Sequence, residues 1–87
     1  MADRKSKIMS WNHRVLAHKY ESGEIEFNIH EVHYEDDVPV AYTKNPIAVY
    51  GENMKSLRWT LNRMKECLKK PVLWAGDEFP KEFKNDL

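Results

Sequence analysis

Residues 51–74 read GENMKSLRWTLNRMKECLKKPVLW, and this run decides how the rest of the chain is organised. Gly51 and Glu52 interrupt what precedes them, and Asn53 is a favourable residue to cap a helix N-terminus. Apolar residues then recur as Met54, Leu57, Leu61, Met64 and Leu68, the three-and-four spacing of one helix face. Lys69 and Lys70 fall in the last turn, where positive charge suits the helix dipole. Pro71 ends the element, since it lacks an N–H and restricts the residue before it.

The polar side of this helix divides into two parts. At about 100° per residue, Lys55, Arg58, Asn62, Lys65 and Lys69 gather on one flank. Trp59 lies nearly opposite Leu57 and Leu68, between Arg63 and Glu66 in the helical projection. A bare Trp on a surface helix is costly. Either a loop, or the C-terminal segment with Phe79 and Phe83, covers it, or it anchors a partner together with Arg63, Lys55 and Arg58, since Trp and Arg are enriched where interfaces carry most of their energy.

Upstream of the helix the pattern is that of strands. Residues 11–20 and 24–34 are rich in Val, Ile, Phe, Tyr and Trp and flank Ser22-Gly23, which predicts a β-hairpin. A two-residue turn there sets Lys19 opposite Glu26 and Arg14 opposite Glu31, two favourable charge pairs. It also places Leu16, His18 and Tyr20 opposite Ile29, Phe27 and Ile25 on the face where the helix sits. The apolar parity then switches to Val32 and Tyr34. Two explanations stay open: a sheet apolar on both faces, with Trp11 opposite Tyr34, or a bulge near His30 and Glu31. A turn over 35–39 leads to a third strand at about 40–43, interrupted by Asn45-Pro46 and resumed over 47–50. Proline there marks an edge or a bulge. Val72-Leu73-Trp74 is a short apolar piece that either lengthens the sheet or closes the core.

At 87 residues the chain has room for one modest core and not for a deep enclosed cavity as well. Fourteen basic and fourteen acidic side chains cancel, so overall charge does not argue for nucleic acid and any electrostatic case is local. The charges are polarised, with Glu21, Glu24, Glu26, Glu31, Glu35, Asp36 and Asp37 in the hairpin region and most of the cations on the helix. Cys67 is the sole cysteine, so no intramolecular disulfide forms, which fits a reducing compartment. No stretch approaches the ~20 apolar residues of a membrane span. Three segments follow: a flexible basic leader over 1–9, one α+β domain over 10–76, and an acidic, weakly ordered tail over 77–87.

Few residues invite chemistry. Glu31, His33 and Glu35 share one strand face, with Asn12 opposite His33 in the proposed register, and are the candidate ligands for a divalent metal; His30 points the other way. His18 reads as a core-edge histidine packed on Phe27. No nucleophile with its base, glycine-rich phosphate cradle or Cys/His zinc pattern is present, so no catalytic residue and no cofactor are expected.

The motifs Trp11-Asn12-His13-Arg14-Val15, Ile29-His30-Glu31-Val32-His33-Tyr34, Tyr42-Thr43-Lys44-Asn45-Pro46 and the Gly51-led helix ending in Lys70-Pro71-Val72-Leu73 resemble a family of short, functionally uncharacterised bacterial proteins. The resemblance covers about residues 11–74 and implies no activity. The element order is also similar to the N-terminal half of HicB-type antitoxins, where a module of three strands and a helix covers a small toxin.

The expectation is therefore an α+β fold of order β-β-β-α, with a three-stranded antiparallel sheet and one helix across it. Its expected core is Leu16, Phe27, Ile29, Ile47, Val49, Leu57, Leu61, Met64 and Leu68. The expected role is a small cytoplasmic protein-interaction module that binds a protein partner, or a second copy of itself, through the outer helix face at Trp59, Arg63, Lys55 and Arg58. The alternatives are a nucleic-acid-binding accessory protein using the basic flank, and a metal-dependent or acid–base enzyme around Glu31 and His33. No membrane partner is expected.

Overall fold

The computed structural model describes residues 7–84. Strands β1 (Met9–Lys19) and β2 (Ile25–Glu35) pair antiparallel without interruption, from Met9 opposite Glu35 to Lys19 opposite Ile25. The loop between them has three residues rather than two. Tyr20 and Glu24 still pair, the Tyr20 N–H donating to the Glu24 carbonyl at 2.9 Å, and the Gly23 N–H donates to the Tyr20 carbonyl at 2.8 Å. Gly23 closes the loop at φ +94°, a conformation that costs glycine little.

That extra loop residue moves the register by one. Arg14 faces His30 and His18 faces Glu26, so the expected Arg14–Glu31 and Lys19–Glu26 pairs do not form. Leu16 lies opposite Asn28, on the other face from Ile29, and Trp11 lies opposite His33 rather than Tyr34. The β1–β2 ladder carries no bulge, so the parity switch reflects a sheet that is apolar on both faces.

A two-residue turn, Asp36-Asp37, joins β2 to β3 (Val38–Tyr42). Both aspartates have positive φ, 51° and 69°, the turn geometry that matches strand twist. The irregularity lies here instead, where the β2–β3 register shifts between His33 and Tyr34. Beyond β3 the chain keeps to β2 only through single bonds, from Thr43 N–H to the Glu31 carbonyl at 3.1 Å and from Ile47 N–H to the Ile29 carbonyl at 2.8 Å. The strand expected over 47–50 is not resumed.

Helix α1 (Met54–Lys65) begins where its cap predicts. The Asn53 side chain accepts from the Ser56 N–H at 2.8 Å, and the Asn53 N–H donates to Ser56 Oγ at 3.2 Å. Gly51 passes so close to the first turn that a Cβ there would overlap the backbone of Leu57. A 3₁₀ turn (Glu66–Lys69) continues the helix to Pro71.

Next comes β4 (Leu73–Trp74), which pairs parallel to β1 through Leu16 and Ala17. The sheet therefore has four strands in the order β3-β2-β1-β4 and is mixed, where three antiparallel strands were expected. Two residues are too few for a strand periodicity to register. The chain then turns back on β4. Trp74 N–H donates to the Lys81 carbonyl and Phe83 N–H to the Val72 carbonyl, each at 2.8 Å, and Leu73 bridges Glu82. Residues 77–84 of the segment read as a weakly ordered tail thus make backbone bonds. Residues 85–87 of that tail and residues 1–6 of the expected leader lie outside the described residues.

The one-residue shift also relocates the core. Leu16, Val32, Tyr34 and Leu73 form the buried cluster, with Tyr42, Ala75 and Phe79 packed against it. The helix lies on the opposite sheet face. There Met64 and Leu61 flank Ile29, and Cys67 and Leu68 flank Val15 and Phe27. Of the expected core, Leu16 and Met64 are buried and Ile29, Ile47 and Leu57 are half-buried, but Phe27, Val49, Leu61 and Leu68 are exposed. The helix stripe is covered at its centre and open along one side.

Candidate functional site

The outer part of α1 meets the sheet at one place. Arg63 lies one helical turn beyond Trp59, and its guanidinium carbon is 5.0 Å from the Trp59 ring centroid. The same carbon is 5.8 Å from the centroid of Trp11 on β1. Both distances are within cation–π range. Trp59 is 60% exposed and Trp11 46%, so the guanidinium is held between two rings that both face solvent. The His13 ring meets Trp11 edge-on at 5.4 Å and extends the surface along β1. Burial pushes the His13 imidazole below its ordinary pKa, against the opposing pull of Glu31, so it is neutral at neutral pH.

Beside this group lies a cleft of about 240 Å³, lined by Asn12, His13, Arg63, Glu66, Cys67 and Lys70. Among the described residues, neither Arg63 nor Lys70 has a carboxylate within ion-pair distance. Glu66 is already paired with Lys69 at 3.2 Å. Cys67 is buried, and burial pushes its thiol pKa up, which suits an inert packing thiol rather than a nucleophile.

The four partner residues expected from the sequence do not all converge. Trp59 and Arg63 make a cation–π contact, and Lys55 shares a hollow with Trp59, Asn53 and Ser56. Arg58 is exposed and makes no hydrogen bond or ion pair with a described residue. Phe79 packs at a tilt against Tyr42 at 4.8 Å and Phe83 meets Trp74 edge-on at 5.0 Å, so neither covers Trp59. Trp11 escaped the sequence reading because a two-residue hairpin turn places it on the face away from the helix.

Glu31, His33 and Glu35 do share a sheet face, but their interactions diverge. His33 Nε2 is 3.7 Å from Glu31, while Glu35 pairs with Lys7 at 3.0 Å. Asn12 lies opposite Val32 rather than His33, and Arg14 points away from Glu31. Among the described residues, no three His, Cys, Asp or Glu side chains are grouped to hold a metal.

The face away from the helix carries a polar network that the sequence did not disclose. Arg14 is 8% exposed and donates to the Tyr34 hydroxyl at 2.8 Å and to the Pro71 carbonyl at 2.7 Å. The Tyr34 hydroxyl in turn donates to Asn12 Oδ1 at 2.8 Å. His30 is fully buried, with Nδ1 2.9 Å from the Thr43 carbonyl. A carbonyl only accepts, so Nδ1 carries the proton and Nε2 of neutral His30 is an acceptor. His18 Nε2, 2.9 Å away, must therefore be the donor. His18 is thus a partner of His30, on the opposite face from Phe27.

No helix of the described residues is long and apolar enough to cross a membrane. No protein-family model, curated protein or solved structure matches this chain.

Proposed function

We propose that this chain is a small protein-binding module whose contact surface is centred on Trp59, Arg63 and Trp11. The observation that carries the reading is the Arg63 guanidinium held between two solvent-facing indoles. Two tryptophans and an arginine are the side chains from which interfaces draw most of their energy. The two cation–π contacts also restrain Arg63 before binding, which reduces the side-chain entropy lost on association. Lys55 and Arg58 add positive charge to the outer helix face and favour an acidic partner over a basic one. The module covers a second protein, in the manner implied by the resemblance to the N-terminal half of HicB-type antitoxins, and acts in the cytoplasm.

Site-directed photo-crosslinking in native cells tests this. A photoreactive residue at Lys55, beside Trp59, is expected to capture a protein. The same residue at Lys44, an exposed position outside the proposed surface, is expected to capture none. Capture of nucleic acid at Lys55, or equal capture at both positions, overturns the reading.

A further inference from the structure

We infer that the cleft between Arg63 and Lys70 is a carboxylate-binding subsite, and that the partner enters it with an acidic side chain from a peptide segment. The inference rests on the protein-binding reading above and names the chemistry of the partner at that surface.

Size is the first argument. At about 240 Å³ the cleft is smaller than the ~300–1,000 Å³ of pockets that hold drug-sized ligands and cofactors. It suits a single side chain. Charge is the second. Arg63 and Lys70 line the cleft as cations, and Glu66, its one acidic wall residue, is already engaged by Lys69. With Glu66 engaged by Lys69, Arg63 and Lys70 are the cleft cations left without a carboxylate among the described residues, and an acidic side chain of the partner supplies that counter-charge.

Geometry is the third argument. The Arg63 guanidinium carbon lies over the Trp59 ring at 5.0 Å and the Trp11 ring at 5.8 Å, and the same side chain lines the cleft. A carboxylate accepts from guanidinium N–H groups in a planar, charge-assisted arrangement. His13 and Asn12 complete the lining as uncharged residues. The indoles beside the cleft then pack apolar residues that flank the acid in the partner's sequence.

The probe is the blocked peptide acetyl-Leu-Asp-Glu-Leu-amide, titrated into the full chain and followed in nitrogen–proton correlation spectra. Its uncharged counterpart, acetyl-Leu-Asn-Gln-Leu-amide, inorganic phosphate and a single-stranded oligonucleotide are titrated at the same ionic strength. The acidic peptide is expected to shift the Arg63 side-chain N–H, the Trp11 and Trp59 indole N–H and the Lys70 amide saturably. It is expected to bind roughly tenfold more tightly than the uncharged peptide, the equivalent of one charge-assisted bond. Arg63→Gln abolishes the response and Lys44→Gln leaves it intact; Lys70→Gln serves in place of Arg63→Gln if that variant does not fold. Equal binding of the two peptides, an unchanged response in Arg63→Gln, or tighter binding of phosphate or the oligonucleotide overturns the inference. If the peptide fails while crosslinking at Lys55 still captures a protein, the carboxylate subsite falls and the protein-binding reading stands.

Discussion

At the scale of single residues, the buried polar side chains on the core face set the constraints. Arg14 is buried without a carboxylate, and its Nε has no partner among the described atoms. Its terminal nitrogens are nonetheless bonded to Tyr34 and Pro71, tying β1 to β2 and to the segment before β4. His30 makes the same face sensitive to pH. Burial holds its imidazole below the ordinary value, with the nearby His18 acting in the same direction and the Thr43 carbonyl opposing both. In the unfolded chain a histidine takes its proton at about pH 6.5. Folded His30 takes one only at lower pH, so acid favours unfolding. Its contribution to stability is full above about pH 6.5, is lost as the pH falls below that value, and levels off below the folded-state pKa. Urea denaturation should therefore give a lower midpoint at about pH 5 than at about pH 7.5. His30→Gln should shrink the difference, leaving the share due to His13, which burial shifts the same way. An undiminished difference in His30→Gln would remove His30 as its source.

At the scale of elements, the helix start is the best-determined feature. Asn53 and Ser56 cap it reciprocally, and Gly51 lets the incoming chain touch the backbone of Leu57. Gly51→Ala would force a Cβ into that contact, an overpacking expected to cost about 1–3 kcal/mol. For a domain of this size that lowers the melting temperature by about 5–15 °C, readable by thermal denaturation. This helix was legible in the sequence because cap, stripe and stop occur within one continuous segment. The hairpin was legible as a hairpin, but its register was not. One residue of loop length, three in Glu21-Ser22-Gly23 rather than two, exchanges the faces of every side chain on one strand relative to the other. The two charge pairs that supported the shorter turn are also available from exposed side chains in many registers, and exposed pairs are worth too little to fix one. That slip placed Leu16 under the helix and hid Trp11, so half of the candidate site could be read from the helix alone and its strand half could not.

At the scale of the whole molecule, one small sheet serves two layers. The closed layer is the Leu16, Val32, Tyr34 and Leu73 cluster, sealed by Phe79 and Tyr42 from a C-terminal segment and an edge strand. The open layer is the helix, anchored by Met64 and Cys67 and leaving Trp59, Leu61 and Leu68 to solvent. The α+β class was legible from element order. The fourth strand was not, because β4 is defined by where it pairs and not by its own two residues. This division assigns stability to one face and recognition to the other, and substitution of Trp59 separates the two roles. Unfolding free energy by urea denaturation and the dissociation constant for the captured partner, both measured on the wild type and on Trp59→Ala, test the account most directly. The account predicts that stability stays within about 0.5 kcal/mol, while partner binding weakens by about 2 kcal/mol, roughly thirtyfold. A large loss of stability with partner binding unchanged would contradict it.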